Sequence, residues 1–220
     1  MQITYPVNEV FESIQGEASF TGTPSVFIRL QGCPVGCHWC DTKHTWEVEY
    51  ENIIPIAQMI HKTNDAPTFS DMTTAEIMDL LKTYQARHIV ITGGEPCKYD
   101  LTSLTGALIN ADYSIQIETS GTFPIRCHPA SFITLSPKID MAGGLEVLRE
   151  NLNICDEIKY PIGKESDIIK MRSIIYKSLC DNIWLQPLSQ NKNATAICVE
   201  QATQNNWKVS IQTHKFIGVR

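Results

Sequence analysis

Two hydrophobic periods take turns along the chain. The clearest strand-like stretch is 25–31, where Val26, Ile28 and Leu30 share one face and Phe27, Arg29 and Gln31 share the other. Arg29 stands where an apolar residue would be expected, which by itself reads as a solvated strand face. Upstream, 7–18 predicts an extended segment ending at Gly16, followed by a turn at Thr21-Gly22-Thr23-Pro24. Residues 43–72 predict only a helix over 52–62 and a polar loop at Asn64-Asp65-Ala66-Pro67. A regular rhythm begins at Thr73-Thr74-Ala75-Glu76, a capping box, with Ile77, Leu80, Leu81 and Tyr84 on one helical face. Strands are then predicted at 88–92, 113–118, 132–135, 157–160, 183–186 and 208–212, and helices at 101–111, 144–153, 166–179 and 193–205. The helix over 166–179 is built on Ile168, Met171, Ile175 and Leu179.

Strands alternating with helices predict right-handed βαβ units on a mainly parallel sheet. Six or seven such units exceed a small open sheet and fall short of a closed eightfold barrel, so the predicted fold is α/β, a partial parallel β/α barrel, as one domain over 1–220. The polar and glycine-rich clusters at 33–42, 93–96, 118–121, 136–138, 186–189 and 212–215 each follow a predicted strand. In a parallel barrel those positions share one rim, so six segments distant in sequence surround one pocket.

Composition narrows the class. A 43% hydrophobic content supports a sizeable core, and a net charge of −6 argues against nucleic-acid binding through a broad basic face. No apolar run approaches a membrane span and no basic n-region with an apolar run opens the chain, so a soluble cytoplasmic protein is expected. Of eight cysteines, three lie in Cys33-Pro34-Val35-Gly36-Cys37-His38-Trp39-Cys40 and five are scattered, at Cys97, Cys127, Cys155, Cys180 and Cys198. That distribution is not a disulfide framework, and the five read as small buried or inert thiols. Three nearby thiolates cannot close a tetrahedral site alone. They predict either an iron–sulfur cluster with one open iron or a zinc that borrows a fourth ligand from His38, His44, Cys97 or Cys127.

The Cys-x3-Cys-x2-Cys loop after one strand and Gly93-Gly94-Glu95-Pro96 after the next together resemble the radical S-adenosylmethionine enzymes. Their spacing in the cysteine loop is the superfamily's common one. The resemblance extends to Phe11-x-x-Ile14-Gln15-Gly16-Glu17, Phe27-Ile28-Arg29-Leu30-Gln31-Gly32-Cys33, Cys40-Asp41-Thr42-Lys43, Ile117-Glu118-Thr119-Ser120-Gly121-Thr122, Leu135-Ser136-Pro137-Lys138 and Gln212-Thr213-His214-Lys215. Over nearly the whole chain these are similar to the 7-carboxy-7-deazaguanine synthase family.

That resemblance implies a radical SAM partial barrel with a [4Fe-4S] cluster on Cys33, Cys37 and Cys40 and S-adenosylmethionine on the open iron. Cleavage of that cosubstrate to a 5′-deoxyadenosyl radical would drive conversion of 6-carboxy-5,6,7,8-tetrahydropterin to 7-carboxy-7-deazaguanine, with loss of ammonia, toward queuosine. It further implies Mg²⁺ on Thr42, a flavodoxin-type electron donor and a homodimer. Ile14, Gln15, Gly16, Glu17, Arg29, Thr92, Glu118 and His214 are the implied substrate residues. Gly94, Ser120, Ser136, Pro137, Lys138 and Gln186 are the implied cosubstrate residues, with His38 and Trp39 either shielding the cluster or meeting the adenine. The residue types agree with that substrate: amides and carboxylates such as Gln15, Glu17 and Glu118 pair with a pterin's polar edge, and the planar fork of Arg29 suits its carboxylate. Two other functions share part of these motifs, a glycyl-radical activase and a zinc-stabilised binding module.

Overall fold

The structure, a computed structural model, describes residues 3–219. Among them one nine-stranded sheet runs in the order β3-β1-β2-β4-β5-β6-β7-β8-β9. Strand β1 (Thr4–Ile14) pairs antiparallel with β2 (Pro24–Leu30) and with β3 (Ser70–Thr73). Every later pair is parallel: β4 (His88–Gly93), β5 (Ser114–Thr119), β6 (Phe132–Leu135), β7 (Glu157–Ile162), β8 (Ile183–Pro187) and β9 (Lys208–Val209). The order does not close on itself, so the expected partial barrel is the observed one.

The period of two along each strand sorts side chains between two environments. Val26, Ile28, Leu30, Ile89, Ile91, Ile115 and Ile117 face outward and are buried by Ile77 and Leu81 of α2 (Thr74–Leu81) and Leu104 and Leu108 of α3 (Thr102–Asn110). A second cluster joins Ile158, Ile183 and Leu185 to α4 (Arg149–Ile154), α5 (Glu165–Ile175) and α6 (Lys192–Asn205) through Leu152, Ile168, Met171, Cys198 and Ala202. The opposite parity faces the barrel interior and is largely polar, with Val90 and Phe27 the apolar members on β4 and β2. His88, Gln116, Thr134 and Glu157 are buried there and linked in series: His88 Nε2 to Gln116 Oε1 (3.3 Å), Gln116 Nε2 to Thr134 Oγ1 (2.8 Å), Thr134 Oγ1 to Glu157 Oε1 (2.7 Å). Burial pushes the His88 imidazole down from its usual range. The one-turn segment Ala18–Phe20 plugs this interior, since Ser19 donates to Glu157 and the Phe20 ring lies 4.2 Å from His88 and 4.9 Å from Phe132.

Several expected boundaries move, each for a local reason. The helix over 52–62 shrinks to α1 (Ile56–Ile60), because Ile53 bridges Phe69 in extended form and Pro55 caps the helix only at Ile56. Strand β3 lies outside the predicted elements; it is an edge strand of four residues whose sequence, Ser-Asp-Met-Thr, carries no apolar alternation. The helix over 144–153 starts only at Arg149, since Leu148 is extended and its N–H bonds the Gly121 carbonyl at 2.9 Å. Helix α5 ends at Ile175, because Ser178 turns the chain by bonding Leu152 O and receiving Cys180 N; Leu179 is therefore 82% exposed rather than buried. Strand β9 stops at Val209, where Ser210 turns inward to Ala18 N and Gln186, and the chain continues into a short helix, α7 (Thr213–Ile217). No described helix is long and apolar enough to cross a membrane.

Candidate active site

The loop after β2 holds its three thiols through backbone bonds to neighbouring segments. Gly32 N donates to Thr45 O (2.7 Å), Cys33 N to Trp46 O (2.9 Å) and Cys40 N to Cys37 O (3.1 Å), while Gly143 N braces the loop at Val35 O (3.0 Å). Cys40 Sγ receives Thr42 N and Trp46 Nε1, both at 3.4 Å, with Thr42 Oγ1 at 3.6 Å. Burial raises the Cys33 thiol to about 11 and also raises Cys37. All three thiols line one cavity of about 480 Å³, within the range of small-molecule sites.

The donor set fits three corners of a cluster better than a single ion. Among the described residues no group of three or more His, Cys, Asp or Glu side chains converges as a one-metal site would require. The candidate fourth zinc ligands are elsewhere: His38 is exposed, His44 lies near Asp65, Cys97 is buried behind the turn after β4, and neither His44, Cys97 nor Cys127 lines the cavity. Three thiols facing an open cavity leave the fourth corner accessible to a ligand.

The turn after β4 lies against β2. Gly94 N bonds Leu30 O (2.8 Å) and Glu95 N bonds Gly32 O (2.9 Å), and a Cβ on Gly93 or Gly94 would collide with the backbone of β2 and the residues just after it. Glycine is required there by strand packing. Glu95 is 1% exposed and accepts from Thr119 Oγ1 (2.5 Å), Ser120 N (2.8 Å), Ser120 Oγ and Cys97 N (3.0 Å). It ties the turn after β4 to the turn after β5.

A second wall is built from the end of β1. Gln15 Nε2 donates to Gln116 Oε1 (2.9 Å) and Glu118 Oε1 (3.1 Å), and its own Oε1 accepts Glu17 N (3.1 Å), which fixes the amide orientation. Lys159, on β7, is ion-paired with Glu17 and, at 3.2 Å, with Glu118. Burial would raise the Glu17 carboxyl, but the Lys159 ammonium and the Gln212 amide outweigh it and bring the group to about 2. Burial would likewise lower Lys159, yet Glu118 and Glu17 hold it above the usual lysine range. Thr213 N bonds Gly16 O at 3.0 Å and sets His214 against Gly16, with burial lowering the imidazole. Lys138 is lowered by burial and bonds Ser136 O (2.7 Å) and Ser136 Oγ (2.5 Å).

Arg29 faces the cavity, as the parity of β2 requires, so the solvated-face reading gives way to an interior one. Its Nε pairs with Glu9 at 2.5 Å and its guanidinium lies 5.8 Å from the Phe11 ring centroid. The same cavity is lined by Ile14, Gln15, Gly16, Glu17, Thr42, Thr92, Gly94, Glu118, Ser120, Ser136, Lys138, Gln186, Trp39 and His214. His38 and Pro137 lie outside it and line an adjoining cavity of about 360 Å³, which shares Trp39, Pro161 and Leu188 with the first.

Comparison with known proteins agrees with this arrangement. The Radical SAM superfamily model matches residues 27–130. The 7-carboxy-7-deazaguanine synthase of Escherichia coli (strain K12) is 44% identical, covering 98% of this chain and 99% of the relative. That of Buchnera aphidicola subsp. Schizaphis graminum is 46% identical over 98% and 99%. The chain belongs to the 7-carboxy-7-deazaguanine synthase family. Its fold agrees with the crystal structure of QueE from Escherichia coli at a TM-score of 0.92, over 95% of this chain and 94% of that one. As radical SAM enzymes, members of this family use an iron–sulfur cluster and S-adenosylmethionine.

Lys159 and Glu9 are site residues that sequence reasoning missed, and Glu95 and Gln212 stood in the quoted motifs without a role of their own. Lys159 carried the same signal as Arg29, a charge at the interior parity of a strand between Ile158 and Tyr160. The roles of Glu9, Glu95 and Gln212 are recognisable only by the bonds they make.

Proposed function

We propose that this protein converts 6-carboxy-5,6,7,8-tetrahydropterin to 7-carboxy-7-deazaguanine with loss of ammonia, as a step toward queuosine. The observation that carries the reading is one cavity joining the three loop thiols to Gln15, Glu17 and Glu118 and to Arg29. Cys33, Cys37 and Cys40 would hold the cluster, which with bound S-adenosylmethionine would supply the radical chemistry for hydrogen removal from the substrate.

The chain's own residues bind and orient. Glu17, Glu118 and Gln15 take the donor-rich edge of the pterin, and Arg29 takes its carboxylate with the guanidinium edge not used by the Nε contact to Glu9. Thr92, His214 and the backbone of Ile14 and Gly16 close around the ring. Gly94, Ser120, Ser136, Lys138, Gln186 and Trp39 hold the cosubstrate, and His38 and Pro137 extend its site into the adjoining cavity. Thr42 offers Mg²⁺ a hard hydroxyl oxygen on the cavity wall, with water and substrate oxygens supplying the remaining positions. The reading includes a single domain, a cytoplasmic homodimer and a flavodoxin-type reductant; sedimentation tests the dimer, and replacing a chemical reductant by flavodoxin tests the donor.

The deciding assay is anaerobic turnover of the iron-reconstituted protein with 6-carboxytetrahydropterin, S-adenosylmethionine, Mg²⁺ and a low-potential reductant. A deazaguanine carboxylate formed without net loss of cosubstrate is expected. Cosubstrate cleavage without a deazapurine would leave the radical chemistry standing and overturn the substrate. Unchanged turnover by Arg29→Ala would remove the carboxylate role from Arg29.

A further inference from the structure

Lys159 has no part in the roles assigned above, yet it stands inside the substrate wall with its side chain 5% exposed. It is the cation shared by two carboxylates from different parts of the chain, Glu17 after β1 and Glu118 on β5. Each carboxylate also receives an amide: Gln212 Nε2 reaches Glu17 at 2.7 Å and Gln15 Nε2 reaches Glu118 at 3.1 Å. One lysine between two carboxylates leaves the trio itself with a net negative charge. Arg29, paired with Glu9, lies on β2, separated from β7 by β4, β5 and β6, so the carboxylate trio and the guanidinium stand on different walls of the cavity.

We propose that Lys159 is the positioning residue for substrate recognition: its ammonium holds Glu17 and Glu118 together and charged, so that they jointly accept the N–H donors of the pterin's aminopyrimidinone edge while the substrate carboxylate is directed to Arg29. This rests on the pterin reading above. Two carboxylates placed this close without a cation do not both stay ionised, and one takes up a proton. A protonated carboxyl loses acceptor capacity, and the site then presents a donor to a donor. The mutual shifts of Glu17 downward and Lys159 upward are what this arrangement requires.

The other charged or titratable groups facing this trio are His214 and Lys215 from α7, Lys138 and Glu95 from the turns after β6 and β4, and the Arg29–Glu9 pair. All persist in a Lys159 variant, but Lys159 also lowers the His214 imidazole, so a pH dependence seen only in the variant belongs to the carboxylate pair only where it survives His214→Gln in the Lys159→Met background.

The test is binding of 6-carboxypterin, the unreactive oxidised analogue, to anaerobic holoenzyme without reductant, followed by its fluorescence from mildly acidic to neutral pH, where the ligand's own lactam N–H stays protonated. The parent is expected to bind with a flat profile. Lys159→Met is expected to bind about ten-fold or more weakly at neutral pH, the scale of a lost charged hydrogen bond, and to weaken by up to about ten-fold per pH unit as pH falls. Lys159→Arg restores the flat profile. The double variant Lys159→Met/Glu17→Gln, which removes one charge of each sign, flattens the profile again, an outcome that a purely structural lysine does not produce. A flat profile for Lys159→Met, or a slope that survives in the double variant, overturns the proposal. Should Lys159→Met fail to fold, the parent itself decides: it must bind 6-carboxylumazine, with an oxo group in place of the 2-amino group, at least about ten-fold less tightly than 6-carboxypterin, and equal binding overturns the proposal. A parent that binds no 6-carboxypterin overturns the pterin reading as well.

Discussion

Gly16→Ala is a one-carbon perturbation whose consequence is set by the geometry. A Cβ at Gly16 would collide with His214 Nδ1 and stand 2.8 Å from the His214 backbone nitrogen. Ordinary contact begins near 3.5 Å, so α7 must retreat by roughly 1 Å. That retreat opposes Thr213 N→Gly16 O at 3.0 Å and Gln212 Nε2→Glu17 Oε1 at 2.7 Å, which tie the same segment to the substrate wall. Overpacking of this kind costs about 1–3 kcal/mol of stability. A displacement of about 1 Å at a positioned side chain costs about a hundred-fold in rate. Thermal unfolding and anaerobic kcat/KM measure the two effects separately. Activity within about two-fold of the parent would refute a role for the Gly16–His214 contact.

Cys33→Ala, Cys37→Ala and Cys40→Ala are each expected to abolish turnover while Cys180→Ala retains it; full turnover by any loop variant would remove the cluster assignment. Gly106 lies inside α3 with nothing within 4 Å of a built Cβ, so Gly106→Ala should stabilise the fold by up to about 1 kcal/mol in urea titration, and a destabilised variant would contradict that open surface. Glu17, lowered from 4.5 to about 2, contributes stability that is present above pH 4.5 and lost as pH falls toward 2. On the order of 3 kcal/mol is the upper bound for that linkage. Glu17→Gln apoprotein should therefore lose less stability than the parent on acidification, and parallel denaturation curves would count against the Lys159 pairing.

What local pattern determines is what local physics governs. The alternation in β2, the capping box at Thr73 and Glu76, and the strand–helix rhythm after it each depend on neighbours a few residues away, and β4, β5, β6 and α2 stand where that pattern places them. The three-cysteine loop and the Gly93-Gly94-Glu95-Pro96 turn are contiguous, so their chemistry is readable before any fold is known. Which face of a strand is interior is a different matter, because parity says that Arg29 and Lys159 oppose their apolar neighbours without saying whether the far side is solvent or a barrel lumen. Curling of the open sheet around Ala18–Phe20 decides that, and turns two charges into parts of one cavity. Boundaries set by distant partners were beyond the pattern for the same reason: Leu148 stays extended for Gly121, α5 stops where Ser178 finds Leu152, and β9 yields to α7 where Thr213 finds Gly16. The ion trio of Glu17, Glu118 and Lys159 joins residues as many as 142 positions apart, and only the arrangement of β1, β5 and β7 around the lumen brings their charges together.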